Sequence, residues 1–471
     1  MESYSIDLEN QIVEIFNLQK SAVNRLRNSS AQDRISKLKR LKAYLLEHQE
    51  EIFQAMYADF KKPSSEVLIG EIFAIKHEID HTISNLKTWM APQKVGTPLF
   101  LMGTEAYIQK ESKGNSLIIA PWNYPLNLCI CPLVLAIASG NAAILKPSEL
   151  TPNVSSFIKK MIQTLFDASE VYVFEGDAQV SGFLLSQKFD HIFFTGSPQI
   201  GKKVMEAASK HLTSVTLELG GKSPAIVDKT ANLKVVAQKI AWGKFFNNGQ
   251  TCIAPDYVLV EKEVYYAFLE ELKSAIAAAY SEQVEESTDY CRIVNNRHYH
   301  RLMQLLEDAI SKGAEVYFGG KNNEKDNFIE PTLLTNVTDE MQVMKDEIFG
   351  PLLPILPFSD QEKVVASINA GEKPLSLYIF SKSREFEEYI IQNTSSGTLV
   401  VNDCLIQFGH PNLPFGGVNH SGIGKTTGYF GFLEFSNQKS VLIQKTNLLK
   451  VIYPPYKPRV KWLIEQMIKW F

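Results

Sequence analysis

Apolar residues recur at helical spacing in the first eighty or so residues, where Ile35, Leu38, Leu41 and Leu45 lie within a charged background. That pattern predicts amphipathic helices on the protein surface. The character of the chain then changes. No charged residue occurs between Lys113 and Lys146, yet Pro121, Pro125 and Pro132 break the stretch and Asn123, Asn127 and Asn141 punctuate it. A bilayer span needs roughly 20 apolar residues in succession. This segment reads instead as a buried strand, a turn, a buried helix and a second strand. Strands are expected at 117–119, 143–145, 171–174 and 191–194, with a helix at 152–166 whose Pro152 suits a first turn. A second series follows: strands at 225–227 and 257–260, a helix near 233–246, and a helix carrying Val264, Phe268, Leu272 and Ile276. Strands alternating with helices imply an α/β fold, a parallel sheet covered on both faces.

Length and charge narrow the class. A chain of 471 residues is long for one core and predicts two or three domains. A net charge of -4 argues against nucleic-acid binding, which wants a basic face. The five cysteines, Cys129, Cys131, Cys252, Cys291 and Cys404, form no disulfide pattern, and the close pair Cys129 and Cys131 has neither redox nor metal-knuckle spacing. The acidic start, Met1-Glu2-Ser3-Tyr4-Ser5-Ile6-Asp7, lacks the apolar core of a secretory signal. A reducing cytoplasmic setting is expected.

Candidate chemistry centres on Cys252. It ends the run Asn248-Gly249-Gln250-Thr251-Cys252, in a polar setting rather than an apolar stripe. A carboxylate with its own glycine turn precedes it in Leu217-Glu218-Leu219-Gly220-Gly221-Lys222. A thiol attacks as thiolate, and a free one has a pKa of about 8.5, so a working thiol needs activation. Ahead of both stands Phe194-Thr195-Gly196-Ser197-Pro198-Gln199-Ile200-Gly201-Lys202, read as a strand end that opens a helix. Helix N-termini offer free N–H groups to an anion. The glycine spacing mimics a triphosphate loop, but Lys203 stands where that loop places Ser or Thr for magnesium, and the usual dinucleotide glycine fingerprint is absent too.

Seven motifs occur in order: Ala120-Pro121-Trp122-Asn123-Tyr124-Pro125, Lys146-Pro147-Ser148-Glu149, the Gly196 to Gly201 loop, Glu218-Leu219-Gly220-Gly221-Lys222, Gly249-Gln250-Thr251-Cys252, Glu347-Ile348-Phe349-Gly350-Pro351 and Pro414-Phe415-Gly416-Gly417. Together they resemble the aldehyde dehydrogenase superfamily over nearly the whole chain. Val401-Asn402-Asp403, Phe408-Gly409-His410-Pro411 and His420-Ser421-Gly422-Ile423-Gly424 look like its class 3 and fatty-aldehyde branch. The resemblance implies the aldehyde dehydrogenase fold. That comprises N-terminal helices and a Rossmann-like cofactor domain over 1–100 and 117–216, and a catalytic α/β domain over 217–425. A small β oligomerisation arm over 101–116 and 426–449 and an amphipathic tail over 450–471 complete it. It also implies aldehyde oxidation with NAD or NADP, a homodimer and no metal.

By the same resemblance Cys252 is the nucleophile and Asn123 an oxyanion donor, and Glu218 is the base that hydrolyses a thioester to the free acid. Trp122, Lys146, Ser148, Glu149, Thr195, Gly196, Ser197, Gly201, Leu219, Gly220, Glu347 and Phe349 are implied for the cofactor, with Lys146 and Glu149 at the adenosine ribose. Tyr124, Thr251, Phe408 and His410 are implied for the pocket of a medium- or long-chain, apolar or aromatic aldehyde. Segments 103–111 and 440–449 are expected to form the arm across a two-fold axis. The tail places Val460, Leu463, Ile464, Met467, Ile468 and Phe471 on one helical face, with Trp462, Trp470, Lys461 and Lys469 beside them. At about 1.5 Å per residue it is too short to span a bilayer. It docks on the enzyme or its dimer mate, covers a substrate tunnel, or lies on a membrane surface. Two other classes remain: a cofactor-independent thiol hydrolase pairing Cys252 with a histidine, and a catalytically inactive binding relative.

Overall fold

The computed structural model describes residues 2–446, 450 and 452–470, without the side chains of 2–5 and Trp470. Met1, 447–449, Val451 and Phe471 lie outside the described residues, and with them the end of the expected 440–449 segment and of the tail's apolar face.

Two sheets carry the fold. The first runs Gly422–Ile423, Ser214–Glu218, His191–Thr195, Asn115–Ile119, Ala142–Lys146, Val171–Val173 in spatial order. All neighbours are parallel except the short edge strand Gly422–Ile423. The central strands are apolar over their whole length, with Leu117, Ile118, Ile144 and Leu145 fully buried, as a sheet covered on both faces requires. The second sheet runs Glu315–Phe318, Thr332–Thr335, Leu352–Phe358, Tyr257–Glu261, Pro224–Val227, Ser376–Phe380, Thr398–Val401, parallel apart from its first strand. The α/β expectation holds, and the strands expected at 117–119, 143–145, 191–194, 225–227 and 257–260 all lie within observed ones.

Several details depart from the sequence expectation. The N-terminal helices are amphipathic, but they are not peripheral: Leu38, Leu41, Met56 and Ile75 are fully buried in the largest apolar cluster. The helix from Ser64 to Met90 is interrupted by a π-helical stretch, Leu68–Phe73, which seats Gly70 against the Tyr124 ring and buries Glu71. Such single-turn widenings are frequent at functional sites. Strands Thr104–Ser112 and Ser436–Gln444 pair with each other within the chain, Thr104 opposite Gln444 and Ser112 opposite Ser436, in a three-stranded sheet with Gln93–Lys94. The tail forms the helix Pro458–Trp470 with Val460, Leu463, Ile464 and Met467 half-buried. Ile468, four residues after Ile464, is instead 76% exposed: it lies at the edge of the stripe, turned about 40° beyond Ile464. Among the described residues no helix is long and apolar enough to cross a membrane.

Candidate active site

The first sheet winds outward from strand Asn115–Ile119 in two directions, to Ala142–Lys146 on one side and to His191–Thr195 on the other. Ligands in open α/β sheets sit beyond the carboxyl ends of strands at such a switch point. The segments leaving those ends here are Ala120–Pro121–Trp122 and Thr195–Gly196–Ser197, with Glu218 ending the next strand. They open on one cavity of about 1410 Å³. It is lined by the expected Trp122, Asn123, Thr195, Gly196, Ser197, Glu218, Leu219, Gly220, Cys252, Glu347 and Phe349.

Cys252 is delivered by an unusual turn. Asn247, Asn248 and Gly249 all take left-handed backbone angles, φ 54°, 56° and 71°. Asparagine and glycine tolerate that region best. A Cβ on Gly249 would overlap the Gly350 carbonyl, so glycine is required there. Hydrogen bonds then lock the turn to the oxyanion candidate. Asn123 Nδ2 donates to the Gln250 carbonyl at 2.9 Å, and Asn247 Nδ2 donates to the Asn123 and Gln250 carbonyls at 2.9 and 3.1 Å. Beneath them a fully buried Lys62–Glu71 pair, 3.0 Å apart, holds the Asn123 carbonyl at 3.4 Å and places the Lys62 ammonium 4.0 Å from the Tyr124 ring centre.

The site is electrostatically unusual. Cys252 is partly exposed to the cleft, yet burial, and then Glu347 and Glu218, push its thiol up to about 12. Burial pushes Glu218 well above the usual carboxylate range, Lys425 pulls it back and Glu434 pushes it further. Neither Glu218 carboxylate oxygen has a hydrogen-bond partner in the protein. Burial, and then Asp256, raise Glu347 to about 8. Burial and the two carboxylates thus act against the thiolate form of Cys252.

The residues expected at the cofactor have a chemistry that fits a nicotinamide dinucleotide. Strand His191–Thr195 ends where helix Pro198–Ser209 begins, with Ser197 as its N-cap accepting from the Ile200 N–H at 3.4 Å. The buried Thr195 hydroxyl has no protein partner and borders the cavity. The Glu347 carboxylate lies against Gly220 so closely that a Cβ there would overlap it. Phe349 holds a left-handed φ of 48°, costly for a bulky residue, and presents its ring edge-on to Trp122 at 5.4 Å.

Other expected residues lie off the cavity lining. Lys146, Ser148 and Glu149 follow the neighbouring strand end; Lys146 is buried and pairs with the half-exposed Glu149 at 3.0 Å. Gly201 packs against Leu219. The Tyr124 hydroxyl and Thr251 Oγ1 share a hydrogen bond of 2.7 Å, and Phe408 packs edge-on to Phe415 in a small cluster with Cys252. His410 is exposed, its Nδ1 accepting from the Asn412 N–H at 3.3 Å. Among the described residues no group of His, Cys, Asp and Glu could hold a metal ion.

The model of the aldehyde dehydrogenase family matches residues 5–441. The chain belongs to the aldehyde dehydrogenase family. It is similar to the 4,4'-diaponeurosporen-aldehyde dehydrogenase of Staphylococcus aureus, 44% identical over 91% of this chain and 93% of that protein. It is 42% identical to aldehyde dehydrogenase family 3 member A2 of Pongo abelii, over 91% and 88%. A solved structure described as the substrate-bound state of Staphylococcus aureus AldH matches with a TM-score of 0.93 and 42% identity, over 97% and 99%. These relatives agree with the class 3 branch, and the thiol-hydrolase and inactive-relative readings are not favoured. This aldehyde dehydrogenase oxidises aldehydes to acids and uses NAD or NADP.

Several residues of this aldehyde dehydrogenase's site escaped the sequence reading. Asn247 was readable, since an Asn-Asn-Gly run is a left-handed turn signal. Lys62 and Glu71 were not, because an i, i+9 pair has no helical periodicity. Lys222 donates to the Val343 and Asp346 carbonyls at 2.8 and 3.0 Å and pairs with Asp256, which accepts from the Ile348 N–H at 2.9 Å and so anchors the Glu347 segment. Arg301 donates to the Ile348 carbonyl at 2.7 Å. Both buttresses join parts of the chain too far apart for any local pattern to show.

Proposed function

We propose that this enzyme oxidises apolar medium- or long-chain or aromatic aldehydes, with Cys252 as nucleophile and Glu218 as the hydrolytic base. The observation that carries this reading is the convergence of Cys252, Glu218, Asn123 and Glu347 on one cavity. Cys252 gives up its thiol proton to solvent, Sγ adds to the aldehyde carbon, and the carbonyl π pair moves to the oxygen, which becomes an oxyanion. Asn123 Nδ2 and the Cys252 backbone N–H aim at that oxygen. The Asn123 amide has two N–H donors, and only one is spent on Gln250. A bound oxidised dinucleotide supplies the hydride acceptor; Trp122, Thr195, Ser197, Glu347 and Phe349 would hold it. Glu218 then takes a proton from water, the water oxygen bonds to the acyl carbon of the Cys252 thioester, and the sulfur leaves. The apolar substrate class is supported by aromatic packing beside the thiol loop, where Tyr124 stacks on Phe246 and Trp242 meets Phe246 at a tilt.

The finer cofactor choice follows from charge. Lys146 is buried and paired with Glu149, the more exposed partner, whose carboxylate would repel a ribose 2′-phosphate, so NAD is preferred. A homodimer would use the edge strand Ser436–Gln444, whose Leu442 and Ile443 are exposed. Exposed Trp462 and Ile468 on the tail helix favour peripheral contact with a lipid surface. The test follows absorbance of reduced nicotinamide with NAD and NADP, against aldehydes from acetaldehyde through decanal to a long polyene aldehyde and benzaldehyde. Turnover that rises with chain length and vanishes in Cys252→Ala supports the reading. Reduction that survives in Cys252→Ala overturns it.

A further inference from the structure

Glu218 ends its strand buried, with both carboxylate oxygens unpartnered, and two late segments of the chain close over it. Gly416 passes so near that a Cβ there would stand 3.0 Å from Glu218 Oε1 and 3.1 Å from Lys425 Cδ. The carboxylate and the lysine therefore flank the same turn. The Lys425 ammonium is fixed there, donating to the Gly416 carbonyl and, at 3.0 Å, to the Gly417 carbonyl. Its backbone N–H donates to Glu434 Oε1 at 3.1 Å. Glu434 Oε2 accepts from Thr216 Oγ1 at 2.7 Å, and Thr216 lies two residues before Glu218 on the same strand. Behind Thr216 the buried His191 meets its hydroxyl at 3.3 Å and Lys113 Nζ at 3.4 Å. Burial, and then Lys113, hold His191 well below its usual range, so it is neutral. From the cleft, Cys252 and Glu347 face the base.

The segments packed around Glu218 thus carry one fixed cation, Lys425, and one carboxylate, Glu434, tied by Thr216 to the same strand. We infer that Lys425, seated on the Gly416–Gly417 turn, is a positioning residue for thioester hydrolysis, the cation held beside the Glu218 carboxylate. The inference rests on the reading of Glu218 as the hydrolytic base. Lys425 offsets part of the cost that burial and Glu434 place on the ionised carboxylate. Burial alone would keep it protonated and useless as a base.

The test measures the pH dependence of steady-state turnover together with the pre-steady-state burst of reduced cofactor, on the full chain with decanal and NAD. Lys425→Met moves the ascending limb to higher pH by about one unit, a roughly tenfold loss of kcat at pH 7. Its burst persists, because acylation precedes the step affected. Lys425→Arg keeps the limb near its original place. Glu434→Gln moves the limb the other way, to lower pH. Opposite shifts are a signature that general disruption of packing cannot produce, and Glu434→Gln decides the matter if Lys425→Met does not fold. An unmoved limb in Lys425→Met, or shifts of the same sign in Lys425→Met and Glu434→Gln, overturns the inference. Glu218→Gln separates the two levels. If it leaves hydrolysis intact, the base has been misassigned; if it abolishes hydrolysis while Lys425→Met leaves the limb in place, only the role of Lys425 falls.

Discussion

Replacing Asn123 with alanine removes an amide whose structural and chemical duties can be weighed separately. Its Nδ2 donates to the Gln250 carbonyl at 2.9 Å, but that carbonyl also accepts from Asn247 Nδ2 at 3.1 Å and is not orphaned by the change. The backbone carbonyl of residue 123, which accepts from Asn247 Nδ2 and Lys62 Nζ, is untouched. Folding therefore loses one ordinary hydrogen bond, about 1 kcal/mol net. The reaction loses a preorganised oxyanion donor, about 2.7–4 kcal/mol, or 10²–10³ in rate. The assay pairs kcat/KM for decanal with thermal unfolding of the same preparation. A drop of about two to three decades with a small shift in melting is expected. A rate loss under about fivefold would refute the oxyanion role. A collapse in stability as large as the loss in rate would show that the amide's duty is structural.

Glu78 gives a pH prediction with a definite sign. It is buried, accepts from the Gly428 N–H at 3.1 Å and from Thr82 Oγ1 at 3.2 Å, and burial raises it from 4.5 to about 7. The folded state holds that proton more tightly than the unfolded chain, so its contribution is full below about 4.5 and is lost as pH rises through about 7. Glu78→Gln is expected to gain stability over the parent at pH 8 and little at pH 5, by denaturant unfolding; an equal gain at both would contradict the assignment. Glu149→Gln should raise kcat/KM with NADP relative to NAD by several-fold, about 1 kcal/mol of removed repulsion; an unchanged ratio rejects the charge argument. Deleting 459–471 should lower turnover of long-chain aldehydes more than of short ones, and equal losses would detach the tail from substrate handling.

The strands and the thiol-bearing turn were legible for physical reasons. Short apolar blocks such as 117–119 and 143–145, bounded by turn residues, suit strands buried on both faces, and Gly249-Gln250-Thr251-Cys252 is a polar turn that carries a thiol. What the sequence hid was long-range. The pairing of Gly422–Ile423 with Ser214–Glu218, which brings Gly416 and Lys425 over the base, joins segments about two hundred residues apart. The buried Lys62–Glu71 pair looks like two surface charges until the π-helical stretch turns Glu71 inward. Ile468 fits the tail's apolar stripe by spacing but ends exposed, because periodicity tells which way a side chain points and not whether anything lies there.

The most direct measurement is the intact mass of Glu218→Gln after mixing with decanal and NAD, followed by peptide mapping. With the base removed, an acyl group should accumulate at about one per chain on the peptide that contains Cys252. An unmodified chain that still reduces NAD, or an acyl group on another cysteine, would contradict the account.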